Sequence, residues 1–497
     1  MTGKRTYKRH HAAAALLLLS SAISLPVHAE TLQGALAKAY ASNPTLTGAR
    51  AGQRATDENV PIQKANGRPA ADIQGSYSES ILKPTISFTS PQRTLNAQAS
   101  LSVPIYSGGS VRNSVKAAEV RVEAGQAGLR GTEASIFSQT VAAYMDVIRD
   151  SAIVSLNQAN VNVLEVNLQA TNDRFEVGDL TRTDVAQSES RLALARSDLQ
   201  TAQANLITSR ENYIALVGEA PDALEPPPQL PGLPADPSIA VRVALNDNPD
   251  ILAAKKQRDA RRYDVKAARG TVLPTISAFT QAGYTNYLHT LGGTALDADG
   301  NSIEGPQVNK QAAAGVRLTI PLYQGGRPAA QVRQNQALES QAIEQEIETE
   351  RNVIAQTRAA YASWQASLQT IQSSRKAVDA TGLSLEGVRA ENSVGSRTIL
   401  DILNAEQEAL IARVELVSAQ RNAYVAGFTL LAAMGHAEAK DLGLESGTLY
   451  DPMVNYDRVE GKWFDWDWGA APAPVATRTV DTPAQDAKVD PATARQP

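Results

Sequence analysis

Asp297, Asp299 and Asn301, in the stretch GGTALDADGNSIEGPQ, carry oxygen atoms at the first three spacings of a calcium-binding loop. The loop's sixth position, which needs glycine, is Ser302, and its twelfth, which needs a bidentate glutamate, is Val308. The 292–307 stretch therefore reads as an exposed turn of variable length. Two histidines, His289 and His436, lie far apart and read as solvated loop residues, not as a metal pair. Cysteine is absent, which excludes disulfides, thiolate metal sites and an acyl anchor on an N-terminal cysteine. The Gly-Gly pairs at 108–109 and 325–326 lack the Gly-Lys-Ser/Thr ending of a phosphate-holding loop. The residues predict no enzyme, no cofactor and no metal centre. What remains is charge at a fixed distance from glycine: Gly178 with Asp184, and Gly395 with Arg397 and Asp401. Arg397 and Asp401 alone would be an i,i+4 helix pair contributing about 0.2–0.5 kcal/mol.

Those positions belong to a tandem repeat. LSVPIYSGG at 101–109 returns as LTIPLYQGG at 318–326, and Gly178 and Asp184 map onto Gly395 and Asp401 at the same offset of 217. Upstream, Asn43-Pro44 maps onto Asn248-Pro249 and Pro69 onto Pro274 at an offset of 205, so twelve residues enter the second unit between Pro274 and Pro321. Repetition on this scale sets the architecture before any local reading. The expected organisation is a signal peptide over 1–29, a first repeat over 30–220, a linker over 221–238, a second repeat over 239–435, a C-terminal segment over 436–468 and a tail over 469–497. The signal peptide rests on Lys4, Arg5, Lys8 and Arg9, the apolar 12–19 stretch and a Val27-His28-Ala29 cleavage site. Its removal takes the formal net charge from −5 to −9, which argues against a nucleic-acid partner.

The elements around the repeats are long helices and short strands. No proline interrupts 105–220 or 329–451, so helices run freely there. A sevenfold apolar stripe runs through Val115, Val122, Leu129, Ile136 and Ala143, then shifts by four to Val147, Val154, Val161, Leu168 and Phe175, as a coiled coil with one stutter does. Returning stripes run through Val185, Leu192, Leu199, Leu206 and Tyr213. In the second unit Ile347, Ile354, Tyr361 and Leu368 precede Leu403, Leu410, Val417, Tyr424 and Leu431. Gly178 and Gly395 therefore fall at the tips of two helical hairpins, the first arm reaching roughly 100 Å at ~1.5 Å per residue.

Upstream of each Pro-x-Tyr-x-Gly-Gly the period becomes two. Leu95, Ala97, Ala99, Leu101, Val103 and Ile105 alternate with polar residues, as do Ala312, Ala314, Val316, Leu318, Ile320 and Leu322. With partners at Ile73, Gly75 and Tyr77 and at Ile276, Ala278, Ala282 and Tyr284, they predict one β-hairpin per unit, over about 71–106 and about 275–323. Strands apolar on one face and polar on the other suit an outer-membrane barrel and equally a half-buried soluble sheet; four cannot close a barrel, so a membrane-spanning version must be assembled from several chains. The proline and the Gly-Gly pair mark where strand hands over to helix. PDALEPPPQLPGLPADP, at 221–237, holds seven prolines and reads as a stiff extended connector. The aromatic run at 462–468 is expected to lie against the outside of the helices, and the tail from 469 reads as disordered.

From LQGALAKAYASNP at Leu32 to about Gly443, the chain resembles the TolC family of outer-membrane channel proteins. VGSRTILDILNAEQE, Val394 to Glu408, is the most specific match, and RFEVGDLTRTDVAQSES matches the first tip. The resemblance implies a mostly α fold with membrane β-structure. Three chains would form a 12-stranded β-barrel in the outer membrane, continued by a 12-helix α-barrel through the periplasm. It implies a homotrimer set in outer-membrane lipid, and a periplasmic adaptor that meets the tips at Gly178 and Gly395. Beyond the adaptor stands a proton-driven or ATP-driven inner-membrane pump. The duct would carry drugs and other toxic compounds, or secreted proteins by the type I route. By matching letters, the family's periplasmic latch falls on Thr183, Asp184 and Arg397. The two rings of its pore constriction fall on Asp401 and Asn404. Asn404 departs from the acidic residue of the second ring and removes three carboxylates per trimer, and Asn392 replaces a tyrosine of the closing network. The rival from another class is a periplasmic coiled-coil scaffold with a soluble sheet.

Overall fold

A computed structural model describes residues 30–82, 90–292, 294–296, 298–300, 302–444 and 449–489. The expected signal peptide over 1–29, Asp297 and Asn301 of the calcium-like stretch, and 490–497 lie outside the described residues. The first unit runs α1 (Leu32–Ser42), α2 (Pro44–Asp57), α3 (Asn59–Ala65), β1 (Ala70–Glu79), β2 (Arg93–Ser107), α4 (Ser110–Glu176) and α5 (Arg182–Val217). The second runs α6 (Pro237–Asp247), α7 (Pro249–Gly270), β3 (Thr275–Asn286), the small ribbon β4 (Thr294–Leu296) and β5 (Ser302–Glu304), β6 (Val308–Thr319), α8 (Arg327–Ser393) and α9 (Ile399–Met434). α10 (Pro452–Val459) follows. The offset of 217 holds at both ends of the long helices: α4 and α8 each have 67 residues, α5 and α9 each 36. Among the described residues no helix is long and apolar enough to cross a membrane.

Local chemistry explains the boundaries. Gly109 and Gly326 cap α4 and α8 in the left-handed region at φ 78° and 76°, each after a second left-handed glycine. A Cβ at Gly108 would come within 2.3 Å of the Gly270 carbonyl, so only glycine lets β2 turn into α4 against the end of α7. The Asn-Pro repeats acquire a double role. Asn43 Oδ1 accepts from the Thr45 and Leu46 amides at the start of α2 while its Nδ2 donates to the Leu216 carbonyl at the end of α5, at 2.9 Å. Asn248 Oδ1 accepts from Asp250 and Ile251 while its Nδ2 donates to Ala433 at the end of α9, at 3.0 Å. One side chain thus satisfies orphan groups at a helix start and at another helix's end.

The helices make one layer in which α4 packs on α5, α7 and α9, and α8 packs on α7 and α9. The first-unit stripe is buried through Val122, Leu129, Ile136, Ala143, Val147, Val154 and Val161, answered by Leu192, Leu199, Leu206 and Tyr213. Full burial of such a side chain is favourable by about 1.5–3 kcal/mol. Ile347 and Leu368 of α8 stay exposed, off the side on which α6, α7 and α9 pack.

The sheet is antiparallel, in the order β1-β2-β3-β6. Its register pairs Ile73 with Ala99, Ala99 with Ala282 and Ala282 with Ala312, and likewise Val103 with Ala278 and Ala278 with Val316. The apolar letters of all four strands thus share one face, opposite Gln74, Gln98, Gly283 and Gln311. Two details depart from expectation. β2 shifts register between Pro104 and Tyr106, leaving Ile105 in a bulge, and β6 ends at Thr319, so Ile320 and Leu322 are not strand residues. Proline accounts for both, because it brings no N–H to the ladder.

Two further expectations are corrected. The aromatic run does not lie against the helices: Trp463, Phe464, Trp466 and Trp468 are exposed, since the loop after α10 turns them outward. Part of the tail is docked where its composition reads as disordered. Arg210 of α5 donates to the carbonyls of Asp486, at 2.5 Å, and Lys488, at 2.8 Å, and Val489 packs against the core. A helix-borne guanidinium that fixes backbone carbonyls is a contact that composition does not reveal.

Candidate functional site

Each helical hairpin turns through an identical frame. α4 ends two residues before Gly178 at φ 81° and α8 two residues before Gly395 at φ 80°, with open space around both glycines. The Asp179 amide donates to the Arg174 carbonyl at 2.9 Å, and the Ser396 amide to the Glu391 carbonyl at 3.0 Å, which satisfies the last turn of each helix. Val177 and Val394 stand at the apices, each 79 % exposed. The returning helices begin with matching caps. The Thr181 hydroxyl and amide donate to Asp184 Oδ2 at 2.7 and 2.8 Å, and Thr398 does the same to Asp401 Oδ2 at 2.7 and 2.9 Å. In return the Asp184 and Asp401 amides each donate to the threonine hydroxyl at 3.3 Å. These are capping boxes with aspartate as the third residue.

Asp184 and Asp401 therefore share one local task. The threonine hydroxyl bond, followed by the threonine amide, holds both carboxyls below the usual carboxylate range. Among the described residues, the hydrogen bonds to each carboxylate fall on Oδ2. Thr183 is exposed beside the first cap.

Arg397 behaves differently from the i,i+4 reading. Its Nε donates to Glu391 at 2.7 Å across the turn, and Asn392 Nδ2 donates to the Arg397 carbonyl at 2.7 Å. The pair spans the loop because Glu391 ends one helix while Arg397 precedes the next. Among the described residues, neither Arg397 and Asp184 nor Arg397 and Asp401 form an ion pair within the protomer. The first tip has the same clamp with its charges exchanged: Arg174, equivalent to Glu391, pairs with Asp179 at 2.8 Å. Both tips thus carry a capped aspartate, Asp184 and Asp401, and they differ in the clamp, Arg174 with Asp179 in the first and Glu391 with Arg397 in the second. Asn404 accepts from Arg191 Nη2 of α5 at 2.7 Å, which links the two hairpins.

Sequence reasoning missed the stronger link, five residues into α9 from Asp401. Glu406 is 6 % exposed. Its carboxylate accepts from Asn167 Nδ2 of α4 at 3.0 Å on both oxygens and from Arg389 Nη2 of α8 at 3.0 Å. One buried charge thus ties three helices about 12 Å above the second tip, at ~1.5 Å per residue. Nothing in the spacing marks Glu406, because an acid on a polar helix face reads as solvated.

Among the described residues no cluster of His, Cys, Asp or Glu could hold a metal ion. The tips are hydrogen-bonded turns with outward charge and apolar apices.

Comparison with known proteins locates this arrangement. The family described as outer membrane efflux protein matches residues 35–219 and 240–436, one segment per repeat. Outer membrane efflux protein BepC of Brucella suis is 38 % identical over 88 % of this chain and 91 % of its own length. Outer membrane protein TolC of Escherichia coli is 26 % identical over 64 % of this chain and 65 % of its own. The outer membrane protein VceC of Vibrio cholerae superposes with a TM-score of 0.68 at 22 % identity, over 81 % of this chain and 96 % of its own.

Proposed function

The chain belongs to the outer membrane efflux protein family, an outer-membrane protein reaching into the periplasm, and from that premise we propose that three copies close into one export duct. The observation that carries the reading is the open sheet. β1 and β6 are edge strands, each with one row of backbone N–H and C=O groups unpaired, and the four strands turn a continuous apolar face outward. In hydrocarbon every unpaired backbone group costs several kcal/mol, and barrels need about eight strands or more. Copies joined β1 to β6 satisfy every edge; three give twelve strands, the number the resemblance implies. The exposed row of α8, met by α5 of the next copy, continues the ring as a twelve-helix tunnel.

The tips are the periplasmic mouth. Their reversed clamps support a latch between neighbouring hairpins, in which Arg397 faces Oδ1 of Asp184 beside Thr183. Asp401 forms an acidic ring at the constriction. Asn404, held by Arg191, forms a neutral one, so cation selectivity is weaker than two acidic rings would give. Val177 and Val394, beside Gly178 and Gly395, are the apolar knobs on which a periplasmic adaptor docks, and the adaptor joins the duct to an inner-membrane pump. The cargo is small toxic compounds or drugs.

Photo-crosslinkers at 177 and 394 in living cells, with the captured proteins identified by mass spectrometry, test this role. Capture of the adaptor of a proton-driven pump supports drug export; that of an ATP-driven exporter moves the cargo to secreted proteins. No capture, from a chain that salt alone extracts from membranes, would leave the coiled-coil scaffold standing.

A further inference from the structure

Trp463, Phe464, Trp466 and Trp468 are 61, 84, 85 and 83 % exposed. Four large rings in water within six residues is costly, and the loop holds them there by design of its contacts. Lys462 pairs with Asp467 at 2.9 Å and Trp468 Nε1 donates to the Asp465 carbonyl at 2.7 Å, which closes the segment on itself.

The loop's height in the molecule is fixed from both ends. α10 is held on α2 by Asn455 Nδ2, which donates to buried Asp57 at 2.7 Å, and Lys64 of α3 pairs with Glu460 at 3.2 Å. Arg68 then donates to the Lys462 carbonyl and lays its guanidinium 4.5 Å from the centre of the Trp463 ring. Arg68 stands two residues before β1 begins at Ala70. Trp463 is therefore held close to the end of the sheet where strands hand over to helices, and Phe464, Trp466 and Trp468 follow within five residues. Indole and phenyl rings beside cationic side chains are the composition that prefers the boundary between water and bilayer, and barrels carry aromatic girdles at that height.

We propose that Lys462–Trp468 is an interfacial anchor that seats in the periplasm-facing leaflet of the outer membrane, with phospholipid as its ligand. The rings enter the zone between headgroup and acyl chain with Arg68 beside the lipid phosphates, while Lys64 and Lys462 keep their partners Glu460 and Asp467. The anchor serves a chain with no cysteine to acylate, and it lies outside both matched repeats. It rests on the reading that the apolar sheet face meets lipid.

Three of the four tryptophans lie in this segment, so the full-length protein reports on it directly, and Trp364→Phe leaves only the segment's indoles. The protein is reconstituted into phosphatidylethanolamine–phosphatidylglycerol vesicles whose acyl chains are brominated near the headgroup. The expected result is at least twofold loss of emission relative to unbrominated vesicles, with weak quenching by acrylamide, and loss of the bromine effect in Trp466→Ser/Trp468→Ser. Strong acrylamide quenching without bromine quenching would place the rings in water. Quenching by neither would place them under a second copy of this chain. Both overturn the proposal. A single tryptophan at Ile73→Trp, with the other four changed to phenylalanine, separates the premises: bromine quenching there shows that the sheet face meets lipid whatever the segment does, and its absence overturns the membrane reading of the sheet itself.

Discussion

Removing Arg389 should loosen the tip-proximal ends of the hairpins more than removing the charge it serves. Glu406 is the buried carboxylate at which α4, α8 and α9 meet, with Arg389 and Asn167 as donors. Arg389→Ala deletes a charge-assisted bond and leaves a buried anion with one neutral donor. Breaking a buried pair from one side costs about 3–5 kcal/mol, and a hydrogen bond to a charge contributes about 1.5–3. The Arg389 side chain is half exposed, so water compensates part of the loss and about 2 kcal/mol is expected, roughly a 30-fold change at ~1.4 kcal/mol per decade. Glu406→Gln keeps an acceptor for Asn167 and removes the anion, so its cost is about 1 kcal/mol or less. The double variant should cost about as much as Glu406→Gln alone, a coupling of about 2 kcal/mol. Hydrogen exchange at the backbone amides of 399–410 reads these openings locally and does not require reversible unfolding of a membrane protein. Protection should fall about 30-fold in Arg389→Ala and no more than about fivefold in Glu406→Gln. The reasoning fails if Arg389→Ala changes protection less than threefold, or if the double variant is worse than either single one.

Other outcomes follow from the same geometry. Arg397→Ala should raise single-channel conductance in planar bilayers if the tips latch between chains, and leave it unchanged if Arg397 only clamps its own turn to Glu391. Gly178→Ala and Gly395→Ala meet no neighbour but force a left-handed φ, so each should destabilise its tip by about 1–2 kcal/mol, read as faster protease cleavage there. Asn43→Ala and Asn248→Ala each lose a helix cap and a clasp, about 1–2 kcal/mol apiece, and should add in thermal dissociation because they serve separate units. The capping boxes lower the Asp184 and Asp401 pKa values, so their contribution is present above the unfolded carboxylate value of ~3.9 and is lost as pH falls through the folded one. Tip exchange, corrected for intrinsic rate, should be flat from about pH 8 to 5 and rise only below about 4.

Much of the fold is legible because the chain states it twice. The offset of 217 in the sequence reappears as equal helix lengths, equivalent glycines and equivalent capping boxes. Period-two letters place the apolar sheet face, since the register follows the side-chain alternation. The tips could have been read further: Thr181 and Thr398 stand three residues before Asp184 and Asp401, a capping pattern visible in the letters. Arg174 and Glu391, at equivalent positions, already announce reversed clamps. Glu406 is of another kind, since its donors come from 239 residues upstream and 17 upstream on different helices, and no local pattern joins them. The docked tail and the outward tryptophans fail for the same reason. Composition gives the average environment of a residue type, whereas Arg210 and Arg68 impose a specific one.

The central claim is that three chains close one barrel through β1 and β6. Because the chain has no cysteine, pairs introduced along the two edges, beginning with Gln74→Cys and Asn309→Cys and stepping through neighbouring registers, can link only to each other. Oxidation in isolated outer membranes followed by denaturing electrophoresis should give, for at least one register, a ladder that ends at three covalently joined chains. A ladder that ends at two chains or runs beyond three, or no link in any register, would contradict the trimeric duct.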